Sequence, residues 1–207
     1  MKLLLFLIIT SILNASNYPS FSNQEIKKIE NSSGKIAKNR VMDYVNSIND
    51  FKKLPQQVQL QKVNTYLNQL LPQHDAVIQN KEDHWATPKE FLSLGYGDCE
   101  DYVIIKYFTL LKLGFDKDKL YFTTVRENYT GGYHMVLSYF QDKNKPPLIL
   151  DNLSFRVLDL KTRDDLTADL FISKNGVFKI KNFKELVKTH SLHVGFENLL
   201  KRVQKGN

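Results

Sequence analysis

An α+β fold, with helices first and a sheet after, is what this sequence predicts. Apolar residues recur at three- and four-residue spacing through the N-terminal third, the period changes to two after Gly114, and turns rich in Gly and Asn separate the alternating runs. The residue balance agrees: 42% apolar and 25% charged, with 9 Gly and 6 Pro among 207 residues, belongs to a chain that buries an ordinary core. No repeat or low-complexity tract is present, which sets aside solenoid, fibrous and disordered classes.

The chain opens with Met1-Lys2, an apolar run from Leu3 to Leu13, and then Asn14-Ala15-Ser16. A positive start, an apolar centre and small residues at the end are the order of a secretory signal, predicted here over 1–15. The run is too short to cross a bilayer, so no stable membrane span is expected once it is removed. Residues 16–207 then form a single domain that works outside the cytoplasm.

The helical part of that domain is expected over 16–80. Phe21 to Glu30 and Val41 to Phe51 read as helices, and Leu54-Pro55 opens a third in which Val58, Leu60, Val63, Leu67, Leu70 and Leu71 recur until Pro72 ends it. A core follows over 81–180. In it Thr87-Pro88-Lys89-Glu90 is a helix start, with Thr87 capping, Pro88 at the first position and Glu90 closing a capping box, and Gly95 stops that short helix. Asp98 caps the central helix, which buries Val103, Ile104, Tyr107, Phe108, Leu110 and Leu111 and stops at Gly114. Leu120 to Arg126, His134 to Phe140 and Leu148 to Leu153 are predicted to form an antiparallel sheet. A short strand from Phe155 to Leu158 and a hairpin across Asn175-Gly176 extend it.

The last part, 181–207, is expected to be helical. The formal net charge of +7 is concentrated late, with Lys179, Lys181, Lys184, Lys188, Lys201, Arg202 and Lys205 in the last thirty positions. There the cations alternate with Phe183, Leu186, Val187, Leu192, Phe196, Leu199 and Leu200, the pattern of an amphipathic helix or helix pair with a solvated face. No nucleic-acid partner is read from it.

The only cysteine, Cys99, stands at the start of the central helix. It cannot form an internal disulfide, and the positive end of the helix dipole with its unpaired N–H groups favours a thiolate and could hold an oxyanion. A lone cysteine is often just a small core residue, but Asp98, Glu100 and Asp101 are unusual neighbours for one. A thiol nucleophile needs a base, and the base needs a group that holds its tautomer. His134 opens an apolar strand and Asp151 ends the next, so pairing of the two strands brings them together. His74, His84, His190 and His193 are read as surface or core residues, because no second cysteine or His-Glu-x-x-His pattern completes a zinc site with them.

Four ordered segments carry a family resemblance: Trp85-Ala86-Thr87-Pro88-Lys89-Glu90, Gly97-Asp98-Cys99-Glu100-Asp101-Tyr102, Tyr133-His134-Met135-Val136-Leu137 and Leu150-Asp151-Asn152. In these the chain resembles the bacterial transglutaminase-like cysteine proteinases, the LapG group of periplasmic adhesin-processing enzymes. The segments lie between Trp85 and Leu153, with 35 positions from Cys99 to His134 and 17 from His134 to Asp151. The resemblance implies a papain/transglutaminase-like fold in which the central helix carries the nucleophile against the antiparallel sheet. It also implies Cys99 as nucleophile, His134 as general base and acid, and Asp151 as orienting carboxylate.

The same resemblance implies a calcium ion (Ca2+) held by Asp98, Glu100 and Asp101, which suits three mutually repelling carboxylates and a hard cation. It further implies a periplasmic protease that cuts a large surface adhesin near its N-terminus and releases the cell from a biofilm. A LapD-like inner-membrane receptor for cyclic di-GMP would be its regulator. Trp85 and the Tyr129 to Tyr133 turn are the places to look for substrate or partner contacts, with packing on the central helix the simpler reading for Trp85. Residues Tyr18 to Leu71 supply no catalytic motif. Two other functions use the same residues: acyl transfer to an amine, as in transglutaminases, and a silent binding module on a degenerate form of the fold.

Overall fold

The helices begin where the capping residues place them. In the structure, a computed structural model that describes residues 18–72, 84–142 and 144–206, helix α1 (Asn23–Phe51) is capped by Ser22 in a capping box with Glu25. The expected signal segment 1–15 and His74 lie outside the described residues. The two predicted N-terminal helices are joined end to end: Gly34, at φ 85° and ψ 175°, interrupts α1 between them. Ala37, Val41, Tyr44 and Ile48, spaced by four, three and four, form the buried stripe of its second half.

Helix α2 (Gln56–Leu67) buries Leu60, Val63, Asn64 and Leu67. It stops five residues short of Pro72, a correction to the sequence reading. Asn68 closes the helix and turns its amide to a distant strand, and Leu71–Pro72 become a short strand β1 with Leu71 exposed. Strand β1 runs parallel to β2 (Tyr96–Gly97), just before Cys99.

Between β1 and β2 lies α3 (Pro88–Leu94), with the predicted Thr87 cap and Glu90 box. Gly95 ends it at φ 84°, a left-handed conformation that a side chain would strain. The central helix α4 (Cys99–Lys112) starts on Asp98, whose side chain accepts a hydrogen bond from Asp101 N. Every residue from Asp101 to Leu111 is buried, which suits a helix that is apolar on most sides and sits at the centre of the molecule.

Seven antiparallel strands pack against it in the order β6-β5-β4-β3-β7-β8-β9. These are β3 (Leu120–Glu127), β4 (Tyr133–Tyr139), β5 (Leu148–Asp151), β6 (Ser154–Asp159), β7 (Leu166–Ser173), β8 (Gly176–Lys181) and β9 (Glu185–His190). Side chains alternate as a pleated sheet requires. Phe122, Met135, Leu137, Tyr139 and Leu150 join the main core with α4, while Tyr121, Val125, Val136, Ile149 and Phe171 form a second, smaller cluster.

The C-terminal part is only half helical, which corrects the expectation for 181–207. Asn182 and Phe183 both adopt positive φ, 50° and 60°, the signature of a tight hairpin whose twist matches its strands. The chain therefore returns as β9, where Val187 and Thr189 favour extended backbone and Leu186 packs on the second cluster. Helix α5 (Val194–Gln204) follows, burying Phe196, Leu199 and Val203.

Candidate active site

Cys99 is the first residue of α4, and two constraints place it there. Gly97 must lack a side chain, because a Cβ would fall 2.5 Å from Asp101 Oδ2 and 2.8 Å from the Phe91 ring. Asp101 is itself 3% exposed and accepts a 2.6 Å hydrogen bond from Ala86 N at Oδ1, pinning the Trp85 segment to the helix start. The thiol of Cys99 donates to Glu100 Oε2 at 2.8 Å. Burial, first of all, and then the charge and acceptor of Glu100 and the charge of Asp98 push the Cys99 thiol well above its ordinary value, with only the Met135 backbone opposing them. The Cys99 thiol thus lies against the backbone of Met135, the residue that follows His134.

His134 and Asp151 meet as the strand pairing predicts. His134 Nε2 lies 2.8 Å from Asp151 Oδ1, with the histidine 7% and the aspartate 1% exposed. A carboxylate only accepts, so Nε2 carries a proton, and in the neutral tautomer that this allows Nδ1 is the acceptor. Cys99 and His134 open into one cleft of about 390 Å³, with Pro72, Tyr133 and Leu153 around it. Tyr133 is 84% exposed at its mouth, and Tyr129 is exposed nearby.

The sequence reading missed three supports of Asp151. Arg163 Nη2 donates to Asp151 Oδ2 at 2.7 Å, and Arg163 is in turn held by Asp165 through Nε and Nη2 at 2.7 and 2.6 Å. Leu153 N donates to Oδ1 at 2.9 Å. Burial alone would raise the Asp151 carboxyl, but His134, Arg163 and Leu153 outweigh it and hold it well below the usual carboxylate range. From the other side Asn68 of α2 donates to Asp151 O at 2.7 Å and Ser154 O at 3.0 Å. The N-terminal helices therefore carry a residue that shapes the site, although no motif marks it. A lone Arg four residues beyond a strand, or an Asn at a helix end, is too common a pattern to single out.

The three acids beside Cys99 do not converge on one point. Among the described residues no group of three His, Cys, Asp or Glu side chains has metal-holding geometry. Glu100 faces the thiol, Asp98 caps the helix, and Asp101 is turned inward to Ala86. Among the other described histidines, His193 Nδ1 accepts from Phe196 N at the start of α5 and stacks on Trp85 at 5.6 Å, His84 lies beside Glu90 and Arg202, and His190 is exposed beside Thr189. Trp85 is buried, against Phe122 as well as His193, and Arg202 donates to its carbonyl.

The chain is similar to known proteins over most of its length. Residues 37–167 match the family model described as bacterial transglutaminase-like cysteine proteinase. The fold is similar to calcium-bound LapG of Legionella pneumophila, with a TM-score of 0.76 and 33% identity, covering 88% of this chain and 99% of that one. An EGTA-treated structure of the same Legionella protein gives a TM-score of 0.74 at 34% identity over 89% of this chain and 98% of that one. No curated protein sequence matches significantly. No helix among the described residues is long and apolar enough to cross a membrane.

Proposed function

This chain belongs to the bacterial transglutaminase-like cysteine proteinases, and from that premise we propose that it is a calcium-dependent endopeptidase of the periplasm that cuts a large surface adhesin near its N-terminus. The observation that carries the reading is the shared cleft of Cys99 and His134, with His134 held by Asp151. Release of the adhesin would free the cell from a biofilm. A LapD-like inner-membrane receptor for cyclic di-GMP is the proposed regulator.

The chemistry follows from the tautomer. His134 Nδ1 takes the Cys99 proton as Sγ attacks the scissile carbonyl, and the N–H groups of the first turn of α4 stabilise the oxyanion. His134 then gives that proton to the leaving amine as the thioester forms. Water, deprotonated by the same ring, attacks the thioester and regenerates the thiol. Asp151 stabilises the imidazolium and keeps Nε2 protonated throughout.

Calcium fits the donor chemistry of Asp98 and Glu100, two hard carboxylates flanking Cys99 whose charges both act on its sulfur. Asp101 fits less well, since its Oδ1 is committed to Ala86 N. A cation on the pair would offset the negative field that keeps Cys99 protonated.

The test is Cys99→Ala against wild type on a purified N-terminal adhesin fragment, with both proteins shown to fold by circular dichroism. Cleavage should vanish in the variant. Persistent cleavage, or incorporation of a fluorescent amine by wild type without hydrolysis, would overturn the reading.

A further inference from the structure

Asp151 divides its two oxygens. Oδ1 takes His134 Nε2 at 2.8 Å and Leu153 N at 2.9 Å, whereas Oδ2 takes Arg163 Nη2 at 2.7 Å. A carboxylate that is 1% exposed stays ionised only with donors or cations against it, and here His134, Arg163 and the Leu153 amide supply them. Lys106 is also buried and acts on Asp151 only through its charge, because its Nζ has no hydrogen-bond partner among the described residues. Arg163 is the cation in contact.

We infer that Arg163 is a positioning residue for the proposed reaction: its guanidinium fixes the plane of the ionised Asp151 carboxylate and so the ring of His134. Three features point to this role. The guanidinium is itself fixed, since Asp165 grips Nε and Nη2 in a two-point fork. The fork sets the direction from which Nη2 reaches Oδ2, leaving Oδ1 to the imidazole. And Nη1 is buried without a hydrogen-bond partner among the described residues, a cost tolerated beside a site more readily than in an ordinary surface ion pair. The chain thus extends from Cys99 and His134 through Asp151 to Arg163 and Asp165, the last two lying between the turn at Leu160–Thr162 and β7.

The inference rests on His134 as the base, so its test is chosen to stand apart from proteolysis. Arg163→Met, Arg163→Lys and Asp165→Asn are compared with wild type for kcat and KM on the adhesin fragment and for the His134 Nε2–H resonance in nitrogen-15 spectra, assigned with His134→Gln. Arg163→Met should lower kcat by about 10–100-fold, the usual cost of an outer partner of a functional group. KM should stay within about twofold, and the Nε2–H resonance should broaden or vanish. Arg163→Lys keeps the charge without the fork and Asp165→Asn loosens the fork without removing the charge, so each should give a smaller change in the same two readouts.

An Arg163→Met protein with an unchanged His134 resonance, whatever its melting temperature, overturns the inference. If that variant fails to fold, unchanged resonances in both other variants do the same. If wild type cuts no adhesin, the functional reading fails while the imidazole resonance still decides the role of Arg163.

Discussion

The two walls of the cleft treat negative charge in opposite ways. On the strand side Asp151 is buried among donors and a fixed cation, and its carboxyl is held low. On the helix side the Cys99 sulfur is buried among acids, and its thiol is held high. The strand wall is preorganised by the protein's own groups: its anion exists, is oriented, and costs no rearrangement at the moment of reaction. On the helix wall burial first, and then the neighbouring acids, push the Cys99 thiol up, and those acids are the ones with the chemistry to hold a hard cation. Orientation of His134 is thus built into the fold, while under the proposed calcium site formation of the nucleophile would be open to control by an ion.

The sharpest way to break this contrast is on the strand side. Asp151→Asn keeps the shape but lets the amide donate to His134, reversing the tautomer. Loss of an orienting carboxylate in an analogous triad costs about 10⁴-fold in kcat, and a fall of about 10³–10⁴-fold is expected here. Single-turnover cleavage of the adhesin fragment by the variant measures it. A loss below about tenfold would mean that Asp151 holds the strands together and does not orient the base.

The helix side gives the next largest effect, and here the sign is informative. If Glu100 served only to hold the Cys99 proton, Glu100→Gln would ease thiolate formation and raise activity. As a calcium ligand, its loss should instead raise the calcium needed for half-maximal cleavage by about tenfold or more, on the scale of losses seen when a metal site loses support. Wild type should lose activity in excess chelator and regain it with calcium but not magnesium, which keeps its own waters and demands a tighter octahedron. A titration of cleavage against free calcium for both proteins decides between the two roles.

How much of this was legible in the sequence follows from the range over which each feature acts. Caps and turns are local, so Thr87, Glu90, Asp98 and Gly95 could be read directly, and the structure has each in its predicted place. The pairing of His134 with Asp151 was legible because a hairpin of two apolar strands leaves little choice of partner. Long-range contacts were not. Asn68 reaches Asp151 across 83 positions of sequence, and nothing local distinguishes it from any other asparagine at a helix end. Arg163 and Asp165 follow an irregular turn whose direction no periodicity encodes. The strand Glu185–His190 was read as helix because Phe183, Leu186 and Val187 have helical spacing; the positive-φ turn at Asn182 and Phe183 decided otherwise. Asp101 looked like its acidic neighbours in sequence, and only its burial against Ala86 separates it from them.

Lys106 links the two walls and gives the smallest effect on catalysis. It lies on α4 two turns beyond Cys99, is fully buried, rests 5.7 Å from the Tyr102 ring, and feels the charge of Asp151. Burial pushes its ammonium down from 10.5 to about 7, with Asp151 opposing the shift. Between about 7 and 10.5 the unfolded chain holds a proton that the folded one has released, so the contribution of this group to stability rises with pH across that window. Below about 7 both states are protonated and the full cost of burying the charge is present. Lys106→Met replaces that charge with an apolar chain of similar length. It should raise stability by about 1–4 kcal/mol near pH 6, the range found when buried charges give way to packed apolar groups, and the gain should fade as pH approaches 10. Because Asp151 keeps Arg163 and His134 as direct partners, kcat should change far less than in Asp151→Asn. Urea unfolding of both proteins at several pH values measures the slope. A Lys106→Met protein that is less stable at pH 6, or that loses kcat on the scale of Asp151→Asn, would show that the strand wall needs the second buried cation as well as Arg163.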